Sequence, residues 1–555
     1  MKKLLIVLFS IILCVSAFGG GGGQSGQNQG EQLSMFYFGG LNSNATSFTY
    51  EDNAYTKKIV DTTGIKLDIS AMNTADSATR LNIMLNAGDY PDLIYGRNFS
   101  IAEMDYYGTQ QGILIPLDQY NIRQYPGIDG IMKEYPALDT VIRGTNGKIY
   151  GMPAVNGCLH CVYRSGRAAY YMPFLRDNNR KMFETYDELA DYLRWVRDND
   201  INKNGDKNDE IPMMWRNTDT RNAIAFFAKG FMPFILNGDH FGIGLENNKV
   251  VEQYRLPEFR DTLRYMAQLY SEKLIAPDSF TMTSDEGRAL AYNDPPIVAV
   301  YGLAQMNSMM TTNSPEWLQT FIMPVLKGRN NKQYAPNFPS WSQTRNFMSI
   351  TDKCKNPVTA IKLYETTLSF EMQLDGNLGP KGLAWDYPDA GSISISNGKP
   401  TWKQLQIAST GSPLINLQWM NGNWTGWYDA WRYGIQGVDM DNINRWLTTG
   451  DPGLLDGLTA NGSYNEAHNY IESLKMVPFQ IPDSNFIPSH GMSDADGARI
   501  ADIMVEFNRF IDTSMVEFIT GVRNINNDAD WNTYNTELTR LGATERATII
   551  QKYMK

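Results

Sequence analysis

The stretch that decides the fold is residues 65–95, IKLDISAMNTADSATRLNIMLNAGDYPDLIY. Ile65–Ile69 alternates apolar and polar residues, which is typical of a half-buried strand. The segment from about Asp76 to Ala87 has helical spacing, and Gly88 ends it. Pro91–Tyr95 then reads as a short buried strand. This strand, helix, strand order predicts a mostly parallel sheet covered by helices.

The same pattern continues on both sides of this stretch. Leu33–Phe38 predicts a preceding strand, and Asn53–Thr63 predicts a helix that ends at Gly64. Further along, Thr185–Glu188 is a capping box that opens an amphipathic helix. Apolar residues at helical spacing across 493–542 predict a helical C-terminal unit. Ligands of such sheets bind beyond the carboxyl ends of the strands, so the loops there are candidate binding loops.

Length and charge narrow the class of protein. A chain of 555 residues exceeds what one hydrophobic core supports, so we expect two domains. The formal net charge of −11 opposes binding to nucleic acid and to anionic lipid, and we expect no nucleic-acid partner. Aromatic residues make up 12% of the chain and supply flat apolar faces with polar edges, which suit carbohydrate as well as core packing.

Residues 1–18 read as an export signal, with two lysines, an apolar run and small residues in that order. Residues 19–32 form a Gly-rich flexible linker. The leader is lipoprotein-like, but Phe18 stands where the lipidated cysteine would be, and diacylglycerol cannot attach without a thiol. We therefore expect an exported chain, in the periplasm or at the extracytoplasmic cell surface, and the sequence argues against a lipid anchor.

Cys158 and Cys161 form a C-x-x-C pair. In an oxidising compartment such a pair can close a short-loop disulfide, and an unpaired pair of thiols is also open. Metal binding with His160 is the other alternative, although no second pair of ligands completes a zinc site. The lone Cys354 is expected to be a buried apolar side chain.

A calcium-like loop follows the capped helix. Its spacing is D-x-N-x-N-G, in which alternating side chains supply oxygens and Gly205 permits the sharp turn. Ile211 stands where an EF-hand has its bidentate Glu, so the preceding acidic pair must close the loop instead. The alternative is a solvated polar turn. The predicted ligands of a structural Ca²⁺ are Asp200, Asn202, Asn204, Asp206, Asn208, Asp209 and Glu210.

Tryptophans and tyrosines are concentrated between residues 419 and 446, interleaved with Asn, Asp and Arg. Aromatic faces stack on the C–H faces of sugar rings, while amide, carboxylate and guanidinium groups hydrogen-bond the hydroxyl edges. Core packing is the alternative for each ring. The predicted ligand contacts, including tryptophans in loop-like sequence elsewhere, are Trp341, Trp424, Trp427, Trp419, Trp385, Trp215 and Arg432.

Several collinear segments form a set that can be recognised together. They are Gly88–Ile94, Leu114–Asp118, Gly147–Pro153, Asp200–Pro212, Gly379–Gly382, Val516–Gly521 and Trp531–Gly542. The set resembles the family 1 bacterial extracellular solute-binding proteins, specifically the large lipoprotein-like branch that serves sugar importers. The resemblance spans most of the chain after the leader.

The resemblance implies an α/β fold of two lobes, similar to type II periplasmic binding proteins, with an interlobe ligand cleft and a helical C-terminus. Lobe 1 is expected to hold residues 33–155 and about 300–378, and lobe 2 residues 156–299 and about 379–555. The chain is expected to cross between lobes near Pro153–Tyr163, at Ile297–Tyr301 and near Pro380. Tyr301, in the second crossing, joins the predicted ligand contacts.

The function implied is the extracytoplasmic substrate-binding component of an ABC importer, which binds a carbohydrate, in our interpretation an oligosaccharide, by lobe closure and has no catalytic activity. Its expected partners are the ligand and the membrane permease subunits, and we expect a monomer. The alternatives are a secreted glycoside-active enzyme and a carbohydrate-binding surface protein. The enzyme would need two carboxylates flanking a glycosidic bond, and no segment resembles such a motif.

Overall fold

Two mixed sheets with helices packed around them organise the described part of the chain. The computed structural model describes residues 31–39, 49–72, 74–236, 241–311, 314–339, 342, 344–406, 414, 417, 419, 425–427, 434–437, 439–456, 463–487 and 493–554. The strands of these residues are Gln32–Tyr37 (β1), Lys66–Ala71 (β2), Leu93–Tyr95 (β3), Met152–Asn156 (β4), Arg167–Tyr171 (β5), Ile211–Met214 (β6), Ile243–Glu246 (β7), Lys249–Glu252 (β8), Val298–Leu303 (β9), Thr320–Ile322 (β10), Thr344–Ile350 (β11), Trp385–Asp386 (β12), Lys403–Gln404 (β13) and Thr425–Trp427 (β14).

The α-helices of the described residues alternate with these strands. They are Ala54–Thr63 (α1), Thr74–Ala87 (α2), Ile101–Met104 (α3), Pro126–Glu134 (α4), Leu138–Val141 (α5), Leu159–Val162 (α6), Met172–Arg176 (α7), Tyr186–Asp198 (α8), Thr220–Ala228 (α9), Pro257–Ser271 (α10), Ser284–Ala291 (α11), Pro315–Gln319 (α12), Pro357–Thr367 (α13), Phe370–Leu378 (α14), Met440–Thr449 (α15), Ser463–Met476 (α16), Asp494–Thr520 (α17), Asp528–Arg540 (α18) and Ala543–Gln551 (α19). Among them, none combines the length and the apolar composition that crossing a bilayer requires.

The first sheet has the strand order β14-β4-β11-β3-β1-β2. Strands β2, β1 and β3 are parallel, and β11 runs antiparallel between β3 and β4. The second sheet has the order β10-β5-β9-β6, in which β6 and β9 are parallel and β5 runs against β9 and β10. The predicted β-α-β-α-β opening is therefore confirmed as β1-α1-β2-α2-β3.

Local signals explain where the opening helix begins and ends. The side-chain oxygen of Asn53 accepts hydrogen bonds from the backbone N–H groups of Tyr55 and Thr56, at 2.9 and 3.2 Å. At the other end Gly64 adopts φ 71°, a left-handed conformation that costs glycine little. Both ends match the boundaries that the sequence predicts.

The later predicted helices are also confirmed. At the start of α8, the backbone N–H of Glu188 donates to the Thr185 hydroxyl at 3.1 Å, and the Glu188 carboxylate accepts from the Thr185 N–H. The C-terminal unit consists of α17, α18 and α19, and Gly521 ends α17 in the left-handed region. Helix α17 packs against α10, so this unit covers the second sheet's side of the molecule.

Two of the expected lobe borders are wrong. Ile297–Tyr301 was expected to cross between lobes, but Val298–Leu303 is an inner strand of the second sheet, paired on both sides. A continuous apolar run is typical of such a doubly covered strand. The chain returns to the first sheet only after Ile322, so residues 300–322 belong with the second sheet. Strand β14 pairs with β4, which places residues 425–427 in the first sheet, not in the second lobe.

Trp419 was expected in lobe 2, but its side chain packs in the core of the first sheet. Its side chain is 2% exposed and packs among Tyr37, Tyr50, Tyr55 and Tyr95 of the first core, with ring centroids 5.1–6.1 Å apart. The indole N–H donates to the hydroxyl of α1 residue Thr56 at 2.9 Å. A segment far along the chain therefore completes the core that the first strands begin.

We expect Trp419→Ala to lower the free energy of unfolding by about 3–5 kcal/mol, because it opens a cavity in a fully packed aromatic cluster. Trp419→Phe should cost less, because most of the volume stays filled. Urea unfolding followed by far-UV circular dichroism measures both. Val522→Ala, at a side chain that is 75% exposed, is the control and should change stability by less than about 0.5 kcal/mol. A Trp419→Ala protein as stable as this control would contradict the packing described.

Candidate functional site: the carboxyl edges of the two sheets

The parallel strands of the first sheet end along one edge. Strand β1 ends at Tyr37, β2 at Ala71 and β3 at Tyr95. Strand β4 points the same way, because β3 and β4 both pair antiparallel with β11, and it ends at Asn156. Loops beyond such carboxyl ends are where α/β sheets bind ligands. We call this the first carboxyl edge.

Strand register adds two residues to the first carboxyl edge. Trp427, at the end of β14, is aligned with Asn156 in the parallel pairing with β4. Arg345, near the start of β11, is aligned with Ala154 in the antiparallel pairing. The edge therefore brings together an aromatic position and a basic position that are 82 residues apart in the chain.

The second sheet has a corresponding carboxyl edge. Strands β6, β9 and β10 run in one direction and end at Met214, Leu303 and Ile322. Strand β5 runs the other way, so its first residue, Arg167, lies at this edge opposite Leu303. We call this the second carboxyl edge.

Two segments of chain connect the carboxyl edges. Residues 157–166, the first crossing segment, leave β4 and enter β5; residues 323–343, the second crossing segment, leave β10 and enter β11. The segments are hydrogen-bonded to each other, from the Phe338 N–H to the Val162 carbonyl at 2.7 Å and from the Ser165 N–H to the Pro336 carbonyl at 3.3 Å. Both connections thus start and finish at the ends of strands where a ligand would bind.

Most basic groups at these edges already have partners. Arg97, just after β3, pairs with Glu103 at 2.5 Å, and Arg216, just after β6, pairs with Asp219 at 2.6 Å. The Arg167 guanidinium donates to two backbone carbonyls of the first crossing segment. These three side chains have structural partners, so they are not available for a ligand.

Arg164 differs from those three. Arg164 lies half-buried in the first crossing segment and has no hydrogen bond or ion pair within the described parts of the chain. Burial lowers the pKa of its guanidinium. Burial also lowers the pKa of Arg345 to about 10, and repulsion from the Arg164 charge adds to this effect.

Sequence reasoning did not select this pair. The available signal was a charged residue inside the strand Thr344–Ile350, whose other side chains are buried. Arg164 has no such signal, because its neighbours Tyr163 and Ser165 fit a loop as well as a site. Strand register places Arg345 at the first carboxyl edge, whereas Arg164 lies in the first crossing segment, outside any strand.

Four of the predicted ligand contacts lie in the cores. Trp215 and Trp385 are 0% exposed, Trp419 is 2% exposed and Tyr301 is 3% exposed. In this structure they present no free ring face, which favours the core-packing alternative at these positions.

The indole N–H groups of Trp385 and Trp215 differ, because that of Trp215 is buried and has no hydrogen-bond partner within the described residues. The Trp385 indole N–H donates to Asp375 at 2.7 Å, as expected for a satisfied core residue. Trp215 follows β6 directly, so it lies at the second carboxyl edge, but its ring packs edge-on against Phe280 at 5.3 Å. Its position suits a ligand contact, whereas its burial in this conformation does not.

The other predicted contacts stay predictions. Trp341, Trp424 and Arg432 lie outside the described residues. Trp427 has a described backbone, on β14 at the first carboxyl edge, but its side chain is not described. Strand register therefore places the backbone of this predicted aromatic contact at the first carboxyl edge.

The cysteine pair lies in the first crossing segment. Cys158 and Cys161 form a disulfide, with Cα atoms 5.3 Å apart, and His160 lies beside them with Nδ1 3.4 Å from the Cys158 sulfur. A disulfide sulfur is not the thiolate that binds metal, so the structure favours the disulfide over the metal alternative. Cys354 is buried as expected, and burial raises the pKa of its thiol to about 11.

The calcium-like loop connects α8 to β6, so it enters the amino end of β6, opposite the second carboxyl edge. Its first carboxylate organises the turn: Asp200 accepts hydrogen bonds from the N–H groups of Asn204 at 3.1 Å and Gly205 at 2.9 Å. The Asn204 amide donates to Asp209 at 2.6 Å, which closes the loop. This loop is therefore remote from the edges described above.

The acidic pair at the end of the loop has unused oxygens. Oδ1 of Asp209 and Oε2 of Glu210 are buried and accept no hydrogen bond within the described residues. Burial raises the pKa of Glu210, and the Asp209 charge adds to it. Two buried carboxylate oxygens beside a turn of side-chain oxygens fit a hard cation such as Ca²⁺. The remaining predicted ligands are Asn202, which is half-buried, and the exposed Asp206 and Asn208.

A buried lysine lies beneath the first crossing segment. Lys229, just after α9, is 3% exposed, and its Nζ is 3.4 Å from the backbone carbonyls of Ser165 and Ala225. No carboxylate within the described residues pairs with it. Burial lowers its pKa to about 7.

Comparison with known proteins is consistent with this geometry. The family model described as bacterial extracellular solute-binding protein matches residues 45–374. The fructooligosaccharide ABC transporter substrate-binding protein FusA of Streptococcus pneumoniae serotype 4 is 22% identical over 503 residues, which cover 88% of this chain and 84% of FusA.

Solved structures show the same fold. An EF-hand mutant of S. pneumoniae FusA in complex with fructo-nystose is similar with a TM-score of 0.65 at 20% identity, covering 94% of this chain and 99% of that one. An extracellular solute-binding protein from Bifidobacterium longum subsp. infantis gives 0.71 at 18%, with 95% and 99% coverage. The alginate-binding protein AlgQ2, solved without calcium ion, gives 0.60 at 18%, with 95% and 98% coverage. The predicted two-lobed α/β fold is confirmed.

Lys229 predicts a pH dependence of stability. Its folded pKa of about 7 lies below the unfolded value near 10.4, so between these values the unfolded chain binds a proton that the folded chain does not. Stability should therefore rise with pH through this window, by about 1.4 kcal/mol per pH unit relative to Lys229→Met. Urea unfolding at pH 6 to 9 measures the difference, with the exposed Lys249→Met as control. Parallel pH profiles of the native chain and Lys229→Met would contradict the prediction.

Proposed function

Because the chain belongs to the family of bacterial extracellular solute-binding proteins, we propose that it is the substrate-binding component of an ABC importer and binds a carbohydrate between its lobes. One structural observation carries the proposal. The carboxyl edges of the two sheets are joined by two adjacent crossing segments, so a solute at one edge also lies near the chain that leads to the other.

The proposed mechanism is lobe closure. The two crossing segments link the sheets covalently, so a change of backbone angles within them would reorient one sheet against the other. Gly166, at the end of the first crossing segment, has φ 69°, and a Cβ there would lie 2.8 Å from the Ala225 Cβ. A ligand that contacts both edges favours the closed arrangement, because only that arrangement offers both sets of contacts.

A carbohydrate is the ligand class that best fits. FusA was solved with fructo-nystose, and this chain shares its fold over nearly its whole length. Trp427 supplies an aromatic position at the first carboxyl edge, where a ring face can stack on a sugar. We retain Trp341, Trp424, Trp427 and Arg432 as proposed ligand contacts, and an oligosaccharide as the proposed ligand.

The family consists of binding proteins, and the relatives above are importer components, so the chain is not an enzyme. The secreted glycoside-active alternative is thereby set aside. We propose export through the leader at residues 1–18, a location in the periplasm or at the extracytoplasmic surface, and delivery of the ligand to membrane permease subunits by a monomer.

We also propose that the loop of residues 200–210 binds a structural Ca²⁺. Its support is the pair of buried, unpaired carboxylate oxygens on Asp209 and Glu210, together with the Asp200 carboxylate that shapes the turn. Bound there, the ion would neutralise the buried acids and fix the link between α8 and β6. Since this loop lies at the amino end of β6, the ion has no part in contacting the solute.

The ligand-binding proposal predicts that an oligosaccharide raises the thermal midpoint of the purified chain. At a ligand concentration of 100 times Kd, the stabilisation should be about 2.7 kcal/mol. Differential scanning fluorimetry against neutral and acidic oligosaccharides tests this, and small-angle scattering should show a smaller radius of gyration with the ligand. A full panel that changes neither quantity would refute the proposal.

A matched pair of variants locates the contact. Trp427→Ala should weaken binding of the stabilising oligosaccharide by about 10-fold or more, because the proposed stacking ring is lost. Trp195→Ala is the control, since Trp195 lies on α8 beneath the Arg180 guanidinium, away from the carboxyl edges. Equal effects of the two substitutions on affinity would argue against a ligand site at the first carboxyl edge.

For the calcium site, we expect Ca²⁺ to raise the thermal midpoint of the chelator-treated chain, and Mg²⁺ to raise it less, because Mg²⁺ dehydrates reluctantly. Asp209→Asn together with Glu210→Gln should abolish the response and leave the midpoint without calcium unchanged or higher, since two buried negative charges are removed. The exposed Glu134→Gln is the control. A midpoint that is unaffected by Ca²⁺ would exclude the site.

A further inference from the structure

The disulfide of the first crossing segment belongs to a compact set of side chains that can bind a metal. Cys158, His160 and Cys161 each place one sulfur or nitrogen atom within 4.8 Å of the others. The Cys158 sulfur also accepts a hydrogen bond from the Cys161 N–H at 3.2 Å, so a backbone contact as well as the covalent bond keeps the two residues together. Disulfide sulfurs are not thiolates, so the set can act as metal ligands only after reduction.

The spacing of sulfur and imidazole fits a tetrahedral ion. Nδ1 and Nε2 of His160 are 3.4 and 3.5 Å from the Cys158 sulfur. Zinc bonds of about 2.3 Å to sulfur and about 2.0 Å to nitrogen place two ligand atoms of a tetrahedral site about 3.5 Å apart. The distance therefore already suits the ion, and turning the ring about its Cβ–Cγ bond would point a nitrogen at it.

A carboxylate from another element lies behind the histidine. Oε2 of Glu466 is 3.8 Å from Nδ1 of His160, and Glu466 lies on α16, which packs against the short helix α6 that carries the histidine. Metal-bound histidines usually donate their second ring N–H to a carboxylate, which fixes the ring and leaves the other nitrogen for the ion. Two thiolates and one such histidine form a three-ligand zinc site with a fourth position for water.

The turn that carries these ligands has supports besides the S–S bond. The Arg167 guanidinium donates to the His160 carbonyl at 2.7 Å. The Phe338 N–H donates to the Val162 carbonyl at 2.7 Å, which ties the turn to the second crossing segment. These contacts do not involve the sulfurs, so we expect the turn, and with it the spacing of the ligands, to persist after reduction.

We propose that reduction of the Cys158–Cys161 disulfide opens a Zn²⁺ site, in which Cys158, Cys161 and His160 bind the ion and Glu466 positions the histidine. With a phosphine as reductant, the S–S bond breaks, and one water gives its oxygen to phosphorus and its two hydrogens to the two sulfurs. Zn²⁺ then displaces both thiol protons. The bound ion would hold the first crossing segment against α16, and the oxidised chain would have no such site.

The test is a metal titration of the whole purified chain, either oxidised or reduced with tris(2-carboxyethyl)phosphine and then freed of reductant under nitrogen. Co²⁺ serves as the spectroscopic substitute for Zn²⁺, and excess Ca²⁺ keeps cobalt out of the oxygen-rich loop at residues 200–210. We expect the reduced chain to bind one equivalent of Co²⁺ with a thiolate-to-cobalt charge-transfer band. Zn²⁺ should then bleach this band and raise the thermal midpoint of the reduced chain. The oxidised chain should show neither effect.

Cysteine substitutions assign the sulfur ligands. Replacing Cys158 and Cys161 together by serine should abolish the charge-transfer band, because no thiolate remains at the turn. Cys354→Ser, at the buried cysteine outside this set, is the matched control and should keep the band.

Substitutions that keep both cysteines separate the loss of a ligand from the loss of the disulfide. Glu466→Gln should weaken Zn²⁺ binding by about 10- to 100-fold, the range for a lost partner of a metal-bound histidine, and His160→Gln should weaken it more. The exposed Glu134→Gln is the control. The thermal midpoints of the oxidised His160→Gln and Glu466→Gln proteins, compared with that of the oxidised native chain, show that both variants are folded.

Three results would overturn the inference. The first is a reduced native chain that shows no thiolate-to-cobalt band. The second is a band that survives the double cysteine substitution or disappears in Cys354→Ser, since the thiolates would then lie elsewhere. The third is Zn²⁺ binding of equal strength by the native chain and His160→Gln. Solute binding is measured on the oxidised chain, so the proposed function stands or falls separately.

Discussion

The contact between the two crossing segments is the interaction on which the binding geometry depends. Each segment alone is a loop joining one strand to another, but the hydrogen bonds from Phe338 to Val162 and from Ser165 to Pro336 hold them side by side. Since each segment also starts and ends at a carboxyl edge, this contact fixes the edges relative to the same piece of backbone. In the proposed mechanism, a solute at either edge would therefore lie beside the linker that bends on closure.

The basic side chains near the carboxyl edges and the crossing segments have different kinds of partner. Carboxylates and carbonyls neutralise the arginines that have structural roles, such as Arg97 and Arg216, within hydrogen-bonding distance. Lys229 lies beneath the first crossing segment with only backbone carbonyls nearby. The chain as a whole is acidic, with a formal net charge of −11.

The calcium-like loop and the binding edges lie at opposite ends of the second sheet. The loop enters the amino end of β6, whereas Trp215 and Arg216 follow its carboxyl end. A cation in the loop would therefore stabilise the packing of α8 against β6 without contributing to recognition. With the proposed calcium and solute sites, the stability of the lobe and the selectivity of the edge could change independently, because no side chain of the described residues belongs to both.

The amino-acid sequence by itself determined the first strands and helices, the capping box at Thr185 and the C-terminal helices, because those features follow from residue spacing and from caps within a few positions. It also placed the calcium-like loop and the cysteine pair for the same local reason. Only the tertiary structure decided that Val298–Leu303 is an inner strand, that Trp419 packs in the first core, and that Arg345 lies at the first carboxyl edge. These facts depend on strand pairing between residues far apart in the chain, and apolar or charged side chains look the same in sequence whether they face a core, a crossing segment or a ligand.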